Sequence, residues 1–253
     1  MKVGKAPGPS VFTSDLIKAA GAIGVKGFFQ VCEFIEQEGE VSDRWAESYT
    51  IPVYKLTEGK GDAQMVDKHR GVRLLKQDIK VYEKALEKRL RDIVKIDEKQ
   101  FGFQPGKSTV DAIFVLRQLQ EKFGAKKKEL FFVFVDLEKV FDRVPREAVQ
   151  WAFRRQKVPE RLIALFMAQY SNARSRVITL AGTLDEFGIG VRIHQGLSLS
   201  PLLFVLVMQE ATRAARCEGL WDLLYADDLV LTTESEEKAV RNFDVWKSEI
   251  ETR

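Results

Sequence analysis

Two adjacent carboxylates, Asp227 and Asp228, separate two short apolar runs that are each long enough to form a buried strand. A tight turn at this point would aim at least one carboxylate off the tip and hold the other close by. Two like charges beside apolar strands are costly unless a cation compensates them. The pair therefore indicates either a cation site or an ordinary solvated Asp-Asp turn, since Asp is a common turn residue.

A third carboxylate, Asp136, ends an apolar run that is rich in Phe and Val, Phe131–Val135. Such a run predicts a central strand with both faces covered, so that Asp136 emerges at the rim of a sheet. If this strand and the Asp227-Asp228 hairpin share a rim, their carboxylates make a site for two hard divalent cations. Such cations lie roughly 3.5–4 Å apart and hold the entering and leaving oxygens of a phosphoryl transfer.

The chain of 253 residues can bury a sizeable core and form one large domain or two lobes. Its hydrophobic content of 45%, charged content of 30% and net charge of +3 are typical of a soluble globular protein and do not by themselves indicate a nucleic-acid-binding protein. The basic clusters 84–91 and 126–128 fit either solvated surface or contacts to phosphates.

Several classes of site and compartment are disfavoured by the remaining composition. Two distant Cys and two His argue against a disulfide framework and a zinc site. No signal peptide is recognisable, and the longest apolar run, 202–208, is far shorter than the ~20 residues that a membrane span needs. We expect a soluble, intracellular protein without membrane contact.

The elements that would position these carboxylates alternate between helix and strand. Pro52 predicts that its strand is an edge strand or ends there, and the spacing of Thr233 and Glu236 predicts a capping box. Helices are predicted at 14–20, 25–38, 79–94, 110–123, 145–156, 159–170, 200–216 and from 233 onward; strands are predicted at 49–55, 71–75 and 131–135, with hairpins over 175–193 and around Asp227-Asp228. The last helix has no stop signal, which we interpret as a truncation.

Several motifs in this order resemble the reverse transcriptases of non-LTR retrotransposons. The motifs are Gly4 to Pro9, His69 to Leu75, Gln100 to Thr109, Phe134 to Pro145, His194 to Phe204 and Tyr225-Ala226-Asp227-Asp228. Together they cover nearly the whole chain. The resemblance implies an α+β fold made of the fingers and palm of a right-hand polymerase, with a small antiparallel palm sheet packed on helices and the thumb missing. It places the fingers and an N-terminal extension at 1–130 and the palm at 131–253, with some interleaving.

The resemblance also implies an RNA-directed DNA polymerase that adds dNTPs to a DNA primer on an RNA template. Asp136, Asp227 and Asp228 are then the catalytic, metal-binding residues, and the metal is Mg²⁺, with Mn²⁺ as a substitute. Nuclear localisation follows from the resemblance alone, because such elements copy their RNA at chromosomal DNA.

Further residues would bind the nucleotide. Phe141 matches the bulky residue that excludes a 2′-hydroxyl, although it also suits a core aromatic. Gln195 and Gly196 match a segment that approaches the base pair, where a plain turn is the alternative. Arg70 and Lys55 match cations that hold the triphosphate, and Lys55 equally suits a solvated strand end.

Lys107 and Ser108 are candidates for contact with the nucleic-acid template. Three positions depart from the pattern of the family: Val140, beside the sugar gate, Ser10 and Gln209. The competing interpretations are a truncated, inactive fragment that only binds nucleic acid or is a relic, an RNA polymerase of related architecture, and a structural protein with a coincidental Asp-Asp turn.

Overall fold

A computed structural model describes residues 8–10, 12–54, 65–137, 143–190, 198–215 and 222–251. The chain divides into two compact units that are each built from two stretches of sequence. The first comprises Met1–Asp92 and Val158–Ser200, and the second comprises Ile93–Lys157 and Pro201–Arg253. Helices and strands occur in both units, which agrees with the predicted mixed class.

The described elements follow the predicted order closely. The helices are α1 (Ser14–Ala19), α2 (Gly21–Glu38), α3 (Gln77–Ile93), α4 (Thr109–Ala125), α5 (Arg146–Arg155), α6 (Glu160–Ala168), α7 (Ser200–Ala211) and α8 (Glu236–Glu251). The strands are β1 (Glu47–Tyr54), β2 (His69–Leu75), β3 (Phe131–Val135), β4 (Arg174–Thr179), β5 (Gly182–Thr183), β6 (Phe187–Gly188), β7 (Leu223–Tyr225) and β8 (Asp228–Thr233). No helix in the described part of the chain is both long and apolar enough to cross a lipid bilayer.

The sheet of the first unit runs in the order β2-β1-β4-β5, and β6 also pairs with β4. Strand β1 is antiparallel to β2 and parallel to β4, so it lies inside the sheet and not at its edge. The prediction that Pro52 marks an edge strand or the end of its strand is therefore wrong, since β1 continues to Tyr54. Pairing with β4 ends at Thr50, whereas Pro52 lies opposite Gly71 of β2. A proline has no N–H to donate. It is tolerated at this position because, in the described sheet, this half of β1 pairs with β2 and no longer with β4.

Local sequence signals explain the ends of the helices in this unit. The side chain of Thr13 accepts a hydrogen bond from the Leu16 N–H at the start of α1. Helix α2 ends at Gly39, whose φ of 74° is left-handed and favours glycine. Helix α3 buries an apolar stripe at helical spacing, namely Ile79, Tyr82, Leu86 and Leu90.

The second unit contains a three-stranded antiparallel sheet in the order β3-β8-β7. The prediction that β3 is the central, covered strand is wrong for this sheet: β8 is central, β3 lies at an edge, and Phe134 is 71% exposed. An apolar run alone does not reveal how many neighbours a strand has, so the burial of β8 and the exposure of β3 both depend on the assembled sheet.

Helices cover both faces of this sheet. On one face, Leu229 and Leu231 of β8 pack with the buried Trp246 of α8. On the other face, Val230 packs with Phe101 and with Ala112 of α4. Alternating side chains along one strand therefore belong to two different cores.

Two predictions about the helices of this unit need correction. The helical spacing of Ile113 and Leu116 predicts that both lie on one apolar stripe of α4. Ile113 is instead 53% exposed, because the helix turns Ala112 and the half-buried Val115 and Leu116 toward the sheet. The cap of α8 is Ser235 and not Thr233: the Ser235 hydroxyl accepts from the Lys238 N–H, whereas the Thr233 hydroxyl donates to the Ser235 carbonyl oxygen.

Candidate active site

The Asp-Asp pair lies at a two-residue hairpin turn, but the turn is one residue earlier than predicted, because Asp227 is a loop residue whereas Asp228 begins β8. Tyr225 of β7 pairs with Asp228 of β8, so Ala226 and Asp227 form the loop between them. Ala226 has a φ of 60°. A left-handed first loop residue suits the twist of a hairpin but ordinarily calls for glycine, and it costs an alanine about 1–2 kcal/mol. The surrounding structure must therefore hold this turn in place.

The pairing of β3 with β8 brings Asp136 to the same end of the sheet. Val135 lies opposite Leu229, so the next position on each strand places Asp136 opposite Asp228. Side chains directly opposite each other point to the same face of a sheet. The register thus collects Asp136, Asp228 and the turn residue Asp227 at one rim, which is the arrangement that the sequence predicted.

The electrostatics of the rim reflect this proximity. Asp227 is half-buried, whereas Asp136 and Asp228 are exposed. The exposed Asp228 still loses part of its surrounding water to the protein, which raises the pKa of its carboxyl above the ordinary value, and the negative charges of Asp227 and Asp136 raise this pKa further. Three carboxylates that repel one another in this way provide hard oxygen ligands, and a divalent cation would relieve the repulsion.

The side chains of the three carboxylates are farther apart than the ligands of a closed metal site. Within the described ranges, no three His, Cys, Asp or Glu side chains converge closely enough to hold a metal ion. The backbone therefore brings the three carboxylates to one rim, and their side chains would rotate inward to share a cation.

The other predicted site residues are distributed over the chain. Arg70 lies on β2 of the first unit, where it is exposed and paired with Val53 of β1. Lys55, Phe141, Gln195 and Gly196 lie outside the described residues, as does Val140.

Lys107 and Ser108 have structural contacts in the second unit. The Lys107 ammonium group donates to the carbonyl oxygens of Glu98 and Gln100 and lies 4.7 Å from the centre of the Phe101 ring. Ser108 caps α4 in a capping box with Asp111. Hydrogen bonds from Ser108 also lower the pKa of Asp111. Contact of Lys107 and Ser108 with a template stays a prediction.

Two residues beside the turn had no functional prediction. Gln100 is 2% exposed, and its side-chain oxygen accepts hydrogen bonds from the N–H groups of Gly102 (2.8 Å) and Ala226 (3.1 Å). A Cβ atom on Gly102 would lie 2.1 Å from the Ala226 nitrogen. The loop signals in this segment, Gly102 and Pro105, predict irregular backbone but not contact with a turn more than a hundred residues away.

Comparison with known protein families agrees with this geometry. Residues 59–252 match the family described as "Reverse transcriptase (RNA-dependent DNA polymerase)". The chain belongs to this reverse transcriptase family. The match includes all three carboxylates and both segments that build the sheet of the second unit.

Individual relatives indicate which group of reverse transcriptases the chain is similar to. The chain is 30% identical over 166 residues, 62% of its length, to the "Retrovirus-related Pol polyprotein from type-1 retrotransposable element R2" of Nasonia vitripennis. It is 30% identical over 159 residues, again 62% of its length, to the "Transposon TX1 uncharacterized 149 kDa protein" of Xenopus laevis. It is 25% identical over 207 residues, 80% of its length, to the "Probable RNA-directed DNA polymerase from transposon X-element" of Drosophila melanogaster.

The matches span only part of these relatives: 16% of the first, 12% of the second and 22% of the third. Their names agree with the predicted group, the non-LTR retrotransposons. The chain thus corresponds to a reverse transcriptase domain of proteins that are several times longer.

Proposed function

We propose that this chain is an RNA-directed DNA polymerase that adds dNTPs to the 3′-hydroxyl of a DNA primer on an RNA template. The observation that carries the proposal is the register that sets Asp136 opposite Asp228, beside Asp227 in the turn. Three carboxylates on the rim of a rigid sheet suit a reaction in which positioning and electrostatics supply most of the rate. Membership of the reverse transcriptase family supports the same conclusion.

The three carboxylates would hold Mg²⁺, or Mn²⁺ in its place. Bound there, the metal would supply stabilisation of the negative charge on the attacking and leaving oxygens. Asp227, in the hairpin turn, and Asp136, just after β3, present hard oxygen ligands from two separate segments, so a cation between them would also tie these segments together. The negative charges of Asp227 and Asp136 raise the pKa of the exposed Asp228 carboxyl, and a nearby positive charge would favour its charged form.

Residues beyond the rim would bind the incoming nucleotide. We assign Arg70 and Lys55 to the triphosphate, since guanidinium and ammonium groups both pair with phosphate oxygens. We assign Phe141 to the exclusion of a 2′-hydroxyl, and Gln195 and Gly196 to the face of the base pair.

We also propose which parts of the chain form the fingers and the palm. We assign the fingers to residues 1–130, which include Arg70, and the palm to residues 131–253, which include the carboxylates. Some interleaving of fingers and palm is consistent with units that are each built from two stretches of sequence. The partners are then an RNA template, a DNA primer and dNTPs, and the setting is the copying of retrotransposon RNA in the nucleus. The match over 59–252 and the intact carboxylates do not favour the alternative of an inactive relic.

Primer extension on an RNA template with dNTPs and Mg²⁺ tests the proposal. Asp227→Asn and Asp136→Asn keep the size of the side chain but remove its charge, and each is expected to lower extension at least 100-fold. Asp244→Asn is the matched control, because Asp244 is an exposed carboxylate on α8. Extension that survives in Asp227→Asn would refute the assignment of the rim.

Two further outcomes separate the competing functions. A protein that binds primer–template but adds no nucleotide would be the binding fragment and not the polymerase. Phe141→Ala is expected to admit rNTPs, and a wild-type enzyme that already prefers rNTPs would indicate an RNA polymerase.

A further inference from the structure

The segment that precedes α4 acts as an additional partner of β7. The Phe101 N–H donates to the Leu224 carbonyl oxygen at 2.8 Å, and the Leu224 N–H donates to the Lys99 carbonyl oxygen at 3.0 Å. These bonds make an isolated parallel bridge between Gln100 and Leu224. The edge of β7 that faces away from β8 is thereby paired just before the strand enters the turn.

Gln100 contacts both β7 and the hairpin turn that follows it. Its backbone pairs with β7, and its buried side-chain oxygen accepts the Ala226 N–H at 3.1 Å. Ala226 is the first loop residue and has the left-handed φ of 60°. The N–H group of the most strained residue in the hairpin is therefore bonded to a side chain from outside the hairpin.

The same side-chain oxygen also fixes its own loop. It accepts the Gly102 N–H at 2.8 Å, which folds the segment back toward the turn. A Cβ atom on Gly102 would lie 2.1 Å from the nitrogen, 2.8 Å from Cα and 2.9 Å from Cβ of Ala226. Only glycine permits this approach without displacing the turn.

Lys107 anchors the other side of the segment. Its ammonium group donates to the Gln100 carbonyl oxygen at 3.0 Å and to the Glu98 carbonyl oxygen. It also lies over the ring of Phe101, which is itself buried against the sheet. The segment is thus held by Lys107, just before α4, on one side and by β7 on the other.

We propose that Gln100 is a positioning residue for Asp227, and that its side-chain oxygen fixes the orientation of the carboxylate through the Ala226 N–H. Asp227 follows Ala226 directly, so a rotation of the Ala226 peptide redirects the Asp227 side chain. A displacement of about 1 Å at a reacting centre can lower a rate about 100-fold. This inference rests on the proposed function for its effect on rate, but not for the hydrogen bond itself.

Two substitutions of Gln100 separate the hydrogen bond from the volume of the side chain. Gln100→Met keeps the length but removes the acceptor, whereas Gln100→Glu keeps an oxygen that can accept both N–H groups. We expect Gln100→Met to lower kcat for primer extension 10- to 100-fold, with KM for dNTP and Kd for primer–template within threefold of wild type. Gln100→Glu is expected to restore most of the kcat. Gln120→Met, at an exposed position of α4, is the matched control.

Amide hydrogen exchange provides a readout that does not depend on activity. In the wild type, the Ala226 amide is expected to be protected, and Gln100→Met should speed its exchange at least 10-fold while the Leu224 amide, bonded to the Lys99 carbonyl, changes little. If the Gln100→Met protein does not fold, the wild type and Gln100→Glu still decide the matter, since both should protect Ala226.

The outcomes are distinguishable. Unchanged kcat in Gln100→Met, or an equal loss in Gln100→Glu and Gln100→Met, would overturn the positioning role. An unprotected Ala226 amide in the wild type would overturn the hydrogen bond itself. A wild-type protein that never extends a primer would refute the proposed function and, with it, the effect on rate, while amide exchange would still test the hydrogen bond.

Discussion

Glu83 provides a quantitative prediction about pH and stability in the first unit. Its side chain lies on α3 and is 1% exposed. The carboxylate accepts the Ser198 N–H at 3.3 Å, and Lys80 lies one turn earlier on the helix. Burial raises the pKa of Glu83 from 4.5 to about 8, because the loss of water outweighs the two contacts that favour the charged form.

The sign of the pH dependence follows from the direction of this change. Below pH 4.5, Glu83 is protonated in both the native and the unfolded state. Between pH 4.5 and about 8 the unfolded chain releases this proton while the native state retains it, so the free energy of unfolding falls as the pH rises. The slope is about 1.4 kcal/mol per pH unit, and the total loss by pH 8 is about 5 kcal/mol.

Glu83→Gln removes the titration and retains an oxygen that can accept the Ser198 N–H. The difference in unfolding free energy between Glu83→Gln and the wild type should therefore grow by about 5 kcal/mol from pH 4.5 to pH 8. Urea unfolding at intervals of one pH unit, followed by circular dichroism, measures this difference. Glu33→Gln, on the exposed face of α2, is the control and should follow the wild type.

Parallel pH profiles of the wild type and Glu83→Gln, within about 1 kcal/mol, would refute this reasoning, since one pKa unit corresponds to about 1.4 kcal/mol. A profile that rises with pH would mean that the carboxylate is charged and well paired in the native state.

The other predictions concern the second unit. Trp246→Ala should lower the free energy of unfolding by about 3–5 kcal/mol, because Trp246 is fully buried beneath β8; Val240→Ala, at an exposed position of the same helix, should cost much less, and equal losses in denaturant titration would contradict the assigned core. Ser108→Ala should destabilise the unit by about 1 kcal/mol through loss of the α4 cap, whereas an unchanged Tm would argue against the capping role. Lys107→Met should destabilise by about 1 kcal/mol, because two carbonyl groups lose their donor. If Lys107 binds a template phosphate instead, the substitution should change the slope of log Kd against log salt by about 1.

Much of the local structure could be predicted because its causes lie within a few residues of one another. Gly39 ends α2 with a left-handed φ, and the Asp227-Asp228 segment folds as a tight hairpin between two apolar runs. Even the three carboxylates were recognisable, because each interrupts or ends a short apolar run of the length that is typical of a buried strand. Backbone preference and hydrophobic period act over these short distances.

The predictions that proved wrong depend on neighbours that are distant in sequence. Phe134 lies on an edge strand and is exposed, although its run is as apolar as that of β8. Ser235 caps α8 in place of Thr233, because the Thr233 hydroxyl is turned to the Ser235 carbonyl. A pattern of apolar or capping residues shows which local structures a segment can form, and the contacts with the rest of the unit decide which of them forms.

The sequence by itself determined the candidate site, namely the carboxylates Asp136, Asp227 and Asp228 and the apolar strands beside them. Their catalytic role stays a prediction. Only the tertiary structure decided that Asp136 lies opposite Asp228, and that Gln100 and Gly102 pack against Ala226. The physical reason is that strand register and close approach of backbone to backbone arise from long-range pairing. Such pairing depends on the packing of the whole unit and leaves no local periodicity in the chain.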